Sequence, residues 1–236
     1  MVSPQPAETP PRRIVVVSPH LDDGVLSLGA SIASWRRAGA EVELLTVLAC
    51  DPSSAAPSGG WDRRGGFATE GEQARARREE DRRACAVLGA TPVWLPFGSV
   101  DYERHGGESD VRSAVGAALE GAGTILLPGF PLSHPDHEWL VRTLGPALGD
   151  RGVALYAEQP YTRRSGGDLI VPEWVAEAFG PRSFERVPTT ARDRLAKWRA
   201  IRRYRSQLPL LGMRRSVRRG PLRSAAASEW VAWSAD

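Results

Sequence analysis

The sequence has two cysteines, Cys50 and Cys85, and they form no Cys-x-x-Cys pair. That excludes a disulfide framework and a zinc ribbon and makes reduced thiols the default. It has one lysine, Lys197, so arginine supplies nearly all of the positive charge. No apolar run reaches membrane-spanning length, and the opening Met1 to Arg13 is polar and proline-rich, unlike a signal peptide. The expectation is a cytoplasmic protein with no membrane partner. Nor does charge of one sign dominate: 31 cationic side chains meet 28 acidic ones, a net +3. The arginine-rich stretch Arg202 to Arg223 lacks interleaved aromatics beyond Tyr204, so no nucleic-acid partner is expected. A solvated or homo-oligomer-facing surface is the reading there.

What is present is an ordinary globular mixture, 42% hydrophobic and 25% charged over 236 residues, enough to bury a substantial core. Ile14 to Ser18 and Glu41 to Leu48 are β-branched runs of the kind buried on both faces of a parallel sheet. Between them Val25, Leu28, Ile32 and Trp35 fall at helical spacing, and Gly39 stops the helix. The alternation continues through a charged helix from about Thr69 to Leu88, a strand Pro92 to Leu95, a helix Asp110 to Glu120 and a strand Thr124 to Pro128. A helix His137 to Leu148 and a strand Ala154 to Ala157 complete it. This predicts an α/β fold, a doubly wound, mostly parallel sheet in a single domain with irregular C-terminal additions. Later helices are expected over Pro172 to Phe179 and Thr190 to Gln207. Leu208 to Arg223 has no period, and Asp51 to Gly66 reads as a long functional loop.

Two short stretches carry chemistry. Ser18-Pro19-His20-Leu21-Asp22-Asp23-Gly24 follows the first strand, Ser133-His134-Pro135-Asp136-His137 follows the strand Thr124 to Pro128, and together they hold three of the four histidines. Both belong at the carboxyl edge of the sheet, where open α/β sheets bind ligands. A catalytic zinc site takes three imidazole or carboxylate ligands and leaves a position for water, and His20, Asp23 and His137 supply that set. Asp22, diverging from Asp23 on a tight turn, is the candidate general base. His134 is the candidate partner across the site, either for the oxyanion or for the leaving amine. Asp136 is placed to orient an imidazole. An acidic receiver domain is the rival for Asp22-Asp23, but it needs a lysine late in the sheet, and Lys197 is the only one available. Taken alone, His134-Pro135-Asp136-His137 is as consistent with a polar turn and helix cap.

Taken together, the two stretches resemble the signature motifs of the PIG-L (LmbE-like) family of N-acetylglucosaminyl deacetylases. Arg77-x-x-Glu80 with Ala84 and Leu88-Gly89, and Lys197-x-x-Ala200 with Tyr204-x-Ser206-Gln207, extend the resemblance over about Arg13 to Gln207. It implies a Rossmann-like fold without a dinucleotide and hydrolysis of an acetamide on an amino-sugar conjugate. Zinc is the implied metal, with other divalent ions able to serve. The same roles are implied for His20, Asp23, His137, Asp22 and His134. Leu21 stands where the family has proline, and Phe130-Pro131-Leu132 where some relatives place an oxyanion-binding tyrosine. Arg77 is a candidate for substrate contact, with an internal pair to Glu80 as the alternative; Trp61, Asp62 and Arg63 are weaker candidates.

The chain is thus divided into a disordered extension over 1–12, a deacetylase domain over 13–207 and an arginine-rich extension over 208–236. The function expected is removal of an acetyl group from an N-acetylglucosaminyl conjugate, such as a secondary-metabolite or thiol-precursor intermediate. Hydrolysis of another small amide and non-catalytic sugar binding are the alternatives. Asp22 argues against the last, because metal binding alone needs no second carboxylate.

Overall fold

A computed structural model describes residues 13–148, 151–164, 169–220 and 228–234; the expected disordered extension over 1–12 lies outside the described residues. Strand β1 (Arg13–Ser18) is buried from Ile14 onward, as a β-branched run covered on both faces must be. Helix α1 (Asp23–Arg37) leads to β2 (Glu41–Thr46), which pairs parallel with β1 in register Arg13 to Glu41. The loop beyond contains a short helix, α2 (Gly60–Arg64), that its lack of apolar period had hidden. Helix α3 (Glu70–Leu88) starts at Thr69, whose hydroxyl accepts from the Glu72 amide, and it ends at left-handed Gly89. Strand β3 (Thr91–Trp94) pairs with β2. Beyond α4 (Glu108–Ala118), β4 (Thr124–Phe130) pairs with the other side of β1; beyond α5 (Pro135–Leu148), β5 (Ala154–Ala157) pairs with β4.

The last third adds α6 (Glu173–Phe179), β6 (Glu185–Arg186), α7 (Ala191–Ile201), α8 (Gln207–Leu210), α9 (Arg214–Arg218) and β7 (Trp230–Ala232). Among the described residues the sheet has seven strands in the order β3-β2-β1-β4-β5-β7-β6. The first five are parallel; β7 runs antiparallel to both β5 and β6. The fold is therefore a single α/β domain with a mostly parallel, mixed sheet. Two departures have physical causes. The helix expected over Thr190 to Gln207 stops at Ile201 because the chain turns inward at Tyr204, whose buried hydroxyl donates to Asp81 Oδ1 at 2.6 Å. Strands β6 and β7 are two and three residues long, too short to show a period of two.

Side chains alternate across β1, so Ile14 and Val16 join one apolar layer, with α1, α3 and α7, while Val15 and Val17 join the other, with α4, α5 and α6. Strands continue leftward from β1 through β2 and rightward through β4, which makes the carboxyl end of β1 and β4 the switch point where such sheets open a crevice. No helix among the described residues is long and apolar enough to cross a membrane.

Candidate metal centre and active site

The turn leaving β1 is wired by Ser18. Its hydroxyl donates to the His20 carbonyl at 2.6 Å and accepts the Gly24 amide at 2.9 Å. Gly24 lets α1 seat close to β2, since a Cβ there would fall 2.4 Å from Leu44 Cδ1. The His20 amide donates to Asp23 Oδ2 at 3.0 Å, which turns the Asp23 carboxylate back over the histidine. On the facing element, the His134 carbonyl accepts the amides of His137 and Glu138. Pro135, which has no amide to satisfy, opens α5.

These two turns bring His20, Asp23 and His137 together. His20 Nδ1 lies 3.1 Å from Asp23 Oδ2, His137 Nε2 lies 3.1 Å from the same oxygen, and the two nitrogens lie 3.1 Å apart. Ligands at about 2.0–2.1 Å in tetrahedral directions around zinc sit about 3.3 Å from one another. The donor triangle therefore fits such an ion. His20, His134 and His137 also offer ligand atoms within 4.8 Å of one another. The set with Asp23 is the tighter of the two, and His134 Nδ1 already accepts the Asp136 amide at 3.2 Å.

Each histidine of the triangle is backed by a buried carboxylate, the usual support for a metal-bound imidazole. His20 Nε2 faces Asp136 Oδ2 at 3.0 Å, and His137 Nδ1 abuts Glu158 Oε1. Asp136 is itself fixed by the Val100 amide at 3.0 Å and by Arg104 Nη2 at 2.7 Å, while Glu158 Oε2 accepts the Leu132 amide at 2.9 Å. Asp136, expected from the motif to stand behind an imidazole, faces that of His20. Neither Glu158 nor Arg104 had been singled out from sequence. Glu158 directly follows β5 and was discoverable from the rule that strand ends share one edge; Arg104 sits on an aperiodic loop that gives no signal.

Asp22 is buried beside the triangle. Burial, and then the Asp23 charge, push its carboxyl up to about 6, with the Arg77 guanidinium pulling the other way. Arg77 Nη2 lies 3.7 Å from Asp22 Oδ1 and Nη1 lies 3.3 Å from Asp62 Oδ1. The Arg77–Glu80 pair does not form: Glu80 accepts the Ser206 amide and hydroxyl instead. Asp62, buried between Arg77 and the Tyr102 hydroxyl, and Arg63, bonded to the Ser58 carbonyl, are occupied internally. His134 lines the same cleft as Asp22. Burial and then the neighbouring imidazoles hold it down to about 4, which keeps it neutral. Tyr161 also lines the cleft, its ring 5.7 Å from that of His137, whereas Phe130-Pro131-Leu132 directly before the second motif holds no tyrosine. The cleft encloses about 530 Å³.

Comparison with known proteins gives a consistent result. The profile of a family described as PIG-L, GlcNAc-PI de-N-acetylase, matches residues 15–146. No curated protein sequence matches. The crystal structure of the A40926 pseudoaglycone deacetylase Dbv21 is 25% identical, with a TM-score of 0.74 over 94% of this chain and 96% of that one. A deacetylase triple mutant of the teicoplanin biosynthetic pathway is 24% identical, with a TM-score of 0.75 over 94% and 97%. The 4-carboxy-2-hydroxymuconate hydratase GalB from Pseudomonas putida KT2440 is 18% identical, with a TM-score of 0.60 over 94% and 95%. The last two likenesses concern the fold, and a hydratase on the same fold means that the site, not the architecture, must carry the functional argument.

Proposed function

We infer, from a chain that belongs to the PIG-L (GlcNAc-PI de-N-acetylase) family, that this protein hydrolyses the acetamide of an N-acetylglucosaminyl conjugate at a zinc centre held by His20, Asp23 and His137. The observation that carries the reading is the triangle of donor atoms, 3.1 Å on each side, with a second carboxylate, Asp22, buried next to it. The A40926 pseudoaglycone deacetylase, at 25% identity, supports deacetylation as the reaction, and the family description, GlcNAc-PI de-N-acetylase, supports an N-acetylglucosaminyl conjugate as the substrate class.

When bound, zinc supplies polarisation of the acetamide carbonyl and a water whose pKa falls from about 15.7 towards about 7. Asp22 is the carboxyl that would take a proton from the attacking water and return it to the nitrogen as the C–N bond breaks. The products are acetate and the free amine. His134 Nδ1 accepts the Asp136 amide, so the ring proton of the neutral imidazole sits on Nε2. That N–H is the donor to the carbonyl oxygen as negative charge develops. Arg77 keeps Asp22 in place and favours its ionised form, while Asp136 and Glu158 hold the two imidazoles in their ligating tautomers.

The test is acetate release from N-acetylglucosaminides by metal-stripped protein with and without one equivalent of zinc. Zinc-restored release is expected. Stoichiometric zinc binding with no release from any glucosaminide would move the reaction to another small amide, and failure to bind zinc would overturn the reading.

A further inference from the structure

The cleft has two zones. Its floor is the polar site described above. Its rim carries apolar side chains from four separate segments, Trp61 of α2, Val100 of the loop after β3, Pro160 and Tyr161 after β5, and Leu210 and Leu211 at the end of α8, beside the polar Arg64, Ser99 and Asp101. None of these side chains is fully buried, and Val100 is 57% exposed, one of three large hydrophobic residues so exposed among those described. The rim is also held in place. The Trp61 indole N–H donates to Gln207 Oε1 at 2.8 Å, tying α2 to α8, and the Trp61 amide donates to Asp101 Oδ2 at 3.0 Å, tying α2 to the loop that carries Val100. Gly59 allows that approach, since a Cβ there would fall 2.4 Å from Asp101 Cβ. An exposed apolar surface fixed by hydrogen bonds between its own segments and continuous with the polar site is a binding wall rather than a packing accident.

Charge narrows what the wall receives. Five aspartates line the cleft against two arginines, and Arg77 is committed to Asp22 and Asp62. The other, Arg64, lies over the Trp61 ring with its guanidinium 5.1 Å from the ring centroid. Among the described residues no further guanidinium lines the cleft for a phosphate, and Asp101 and Gln207, two polar groups of the rim, are engaged by Trp61.

We propose that the rim formed by Trp61, Val100, Leu210 and Leu211 is the aglycone subsite and selects amino sugars linked to a planar apolar group, in preference to a phosphate or a further sugar. The proposal rests on the deacetylase reading above. An aryl ring partly covered by these side chains is expected to strengthen binding by about tenfold or more over a methyl aglycone.

The experiment compares phenyl and methyl N-acetyl-β-glucosaminide, N-acetylglucosamine 1-phosphate and N,N′-diacetylchitobiose as substrates of the zinc-loaded protein. In parallel, calorimetry measures binding of the phenyl and methyl glucosaminides to the metal-free protein, which needs no turnover. The expected result is a KM for the phenyl glycoside at least about tenfold below the others, and the same order in binding. Trp61→Ala and, independently, Leu210→Asn should bring the phenyl-to-methyl ratio close to one; Leu210 takes part in neither hydrogen bond of Trp61, so its variant separates loss of the wall from loosening of α2. Equal binding of the phenyl and methyl compounds, or a preference for the phosphate or the disaccharide, would overturn the proposal. If no glucosaminide is turned over, the deacetylase reading falls, and the calorimetric ratio still decides whether the rim selects an apolar group.

Discussion

Asp22 and Asp23 are neighbours in the chain with opposite environments. Asp23 faces two imidazoles, whose charges and hydrogen bonds overcome its burial and hold its pKa well below the usual range, so it is a permanent anion suited to a cation. Asp22 faces Arg77 at 3.7 Å and is otherwise buried, so it stays close to the point of exchange. The same logic reaches Arg104. It donates to Asp136, which orients His20, and its guanidinium stacks on Trp139 with 4.0 Å to the ring centroid. Arg104→Ala removes the guanidinium donor to a fully buried carboxylate. Zinc affinity measured by chelator competition should fall by about 10–100-fold, with partial recovery in Arg104→Lys. Unchanged affinity in the alanine variant would show that Asp136 does not depend on this clamp. Both signature motifs were legible in the sequence because each is local, a few residues in one turn. The supports that cross the fold, Arg104 to Asp136, Glu158 to His137 and Arg77 to Asp22, were not, because no spacing rule links residues from different loops.

At the scale of elements, the helix that presents Asp23 is anchored by the one lysine of the chain. Lys197 Nζ of α7 lies 2.7 Å from Glu229 Oε1 and donates to the Ser27 carbonyl of α1 at 3.1 Å, all of it buried. Glu229, just before β7, also accepts the Ala30 and Ser31 amides of α1 at 2.8 and 2.7 Å. Gly29 makes the crossing possible, since a Cβ there would come within 2.8 Å of Lys197 Cγ. Lys197→Met leaves Glu229 as an uncompensated buried charge and should cost about 3–5 kcal/mol in denaturant unfolding. Adding Glu229→Gln should restore much of that. A single variant as stable as the parent would contradict the pairing. Strong periods made β1, α1 and α3 readable from sequence; β7 was not, because three residues are too few to carry a pattern, yet its flanking Glu229 closes this bolt.

At the scale of the whole molecule, stability should depend on pH through Asp81, which is far from the metal ligands in sequence and sits between α3, β3 and the turn after α7. Burial pushes its carboxyl up to about 7 despite hydrogen bonds from Tyr204 and Trp94. The folded chain therefore keeps this proton to about pH 7, whereas the unfolded chain releases it near the ordinary value of 3.8. The contribution is fully present below about pH 4 and is lost as pH rises towards 7. In the metal-free protein, Asp81→Asn should gain on the parent over that interval by up to about 4 kcal/mol, and a parallel pair of stability curves would refute it. The central claim is that one carboxylate holds the metal while its neighbour moves the proton, and the direct measurement is zinc content and acetate release on the same sample of Asp22→Asn. One zinc per chain is expected, with the rate lowered by about a hundredfold or more. Loss of zinc would make Asp22 a ligand, and retained acetate release would remove it from the reaction; either result contradicts the division of labour proposed for the pair.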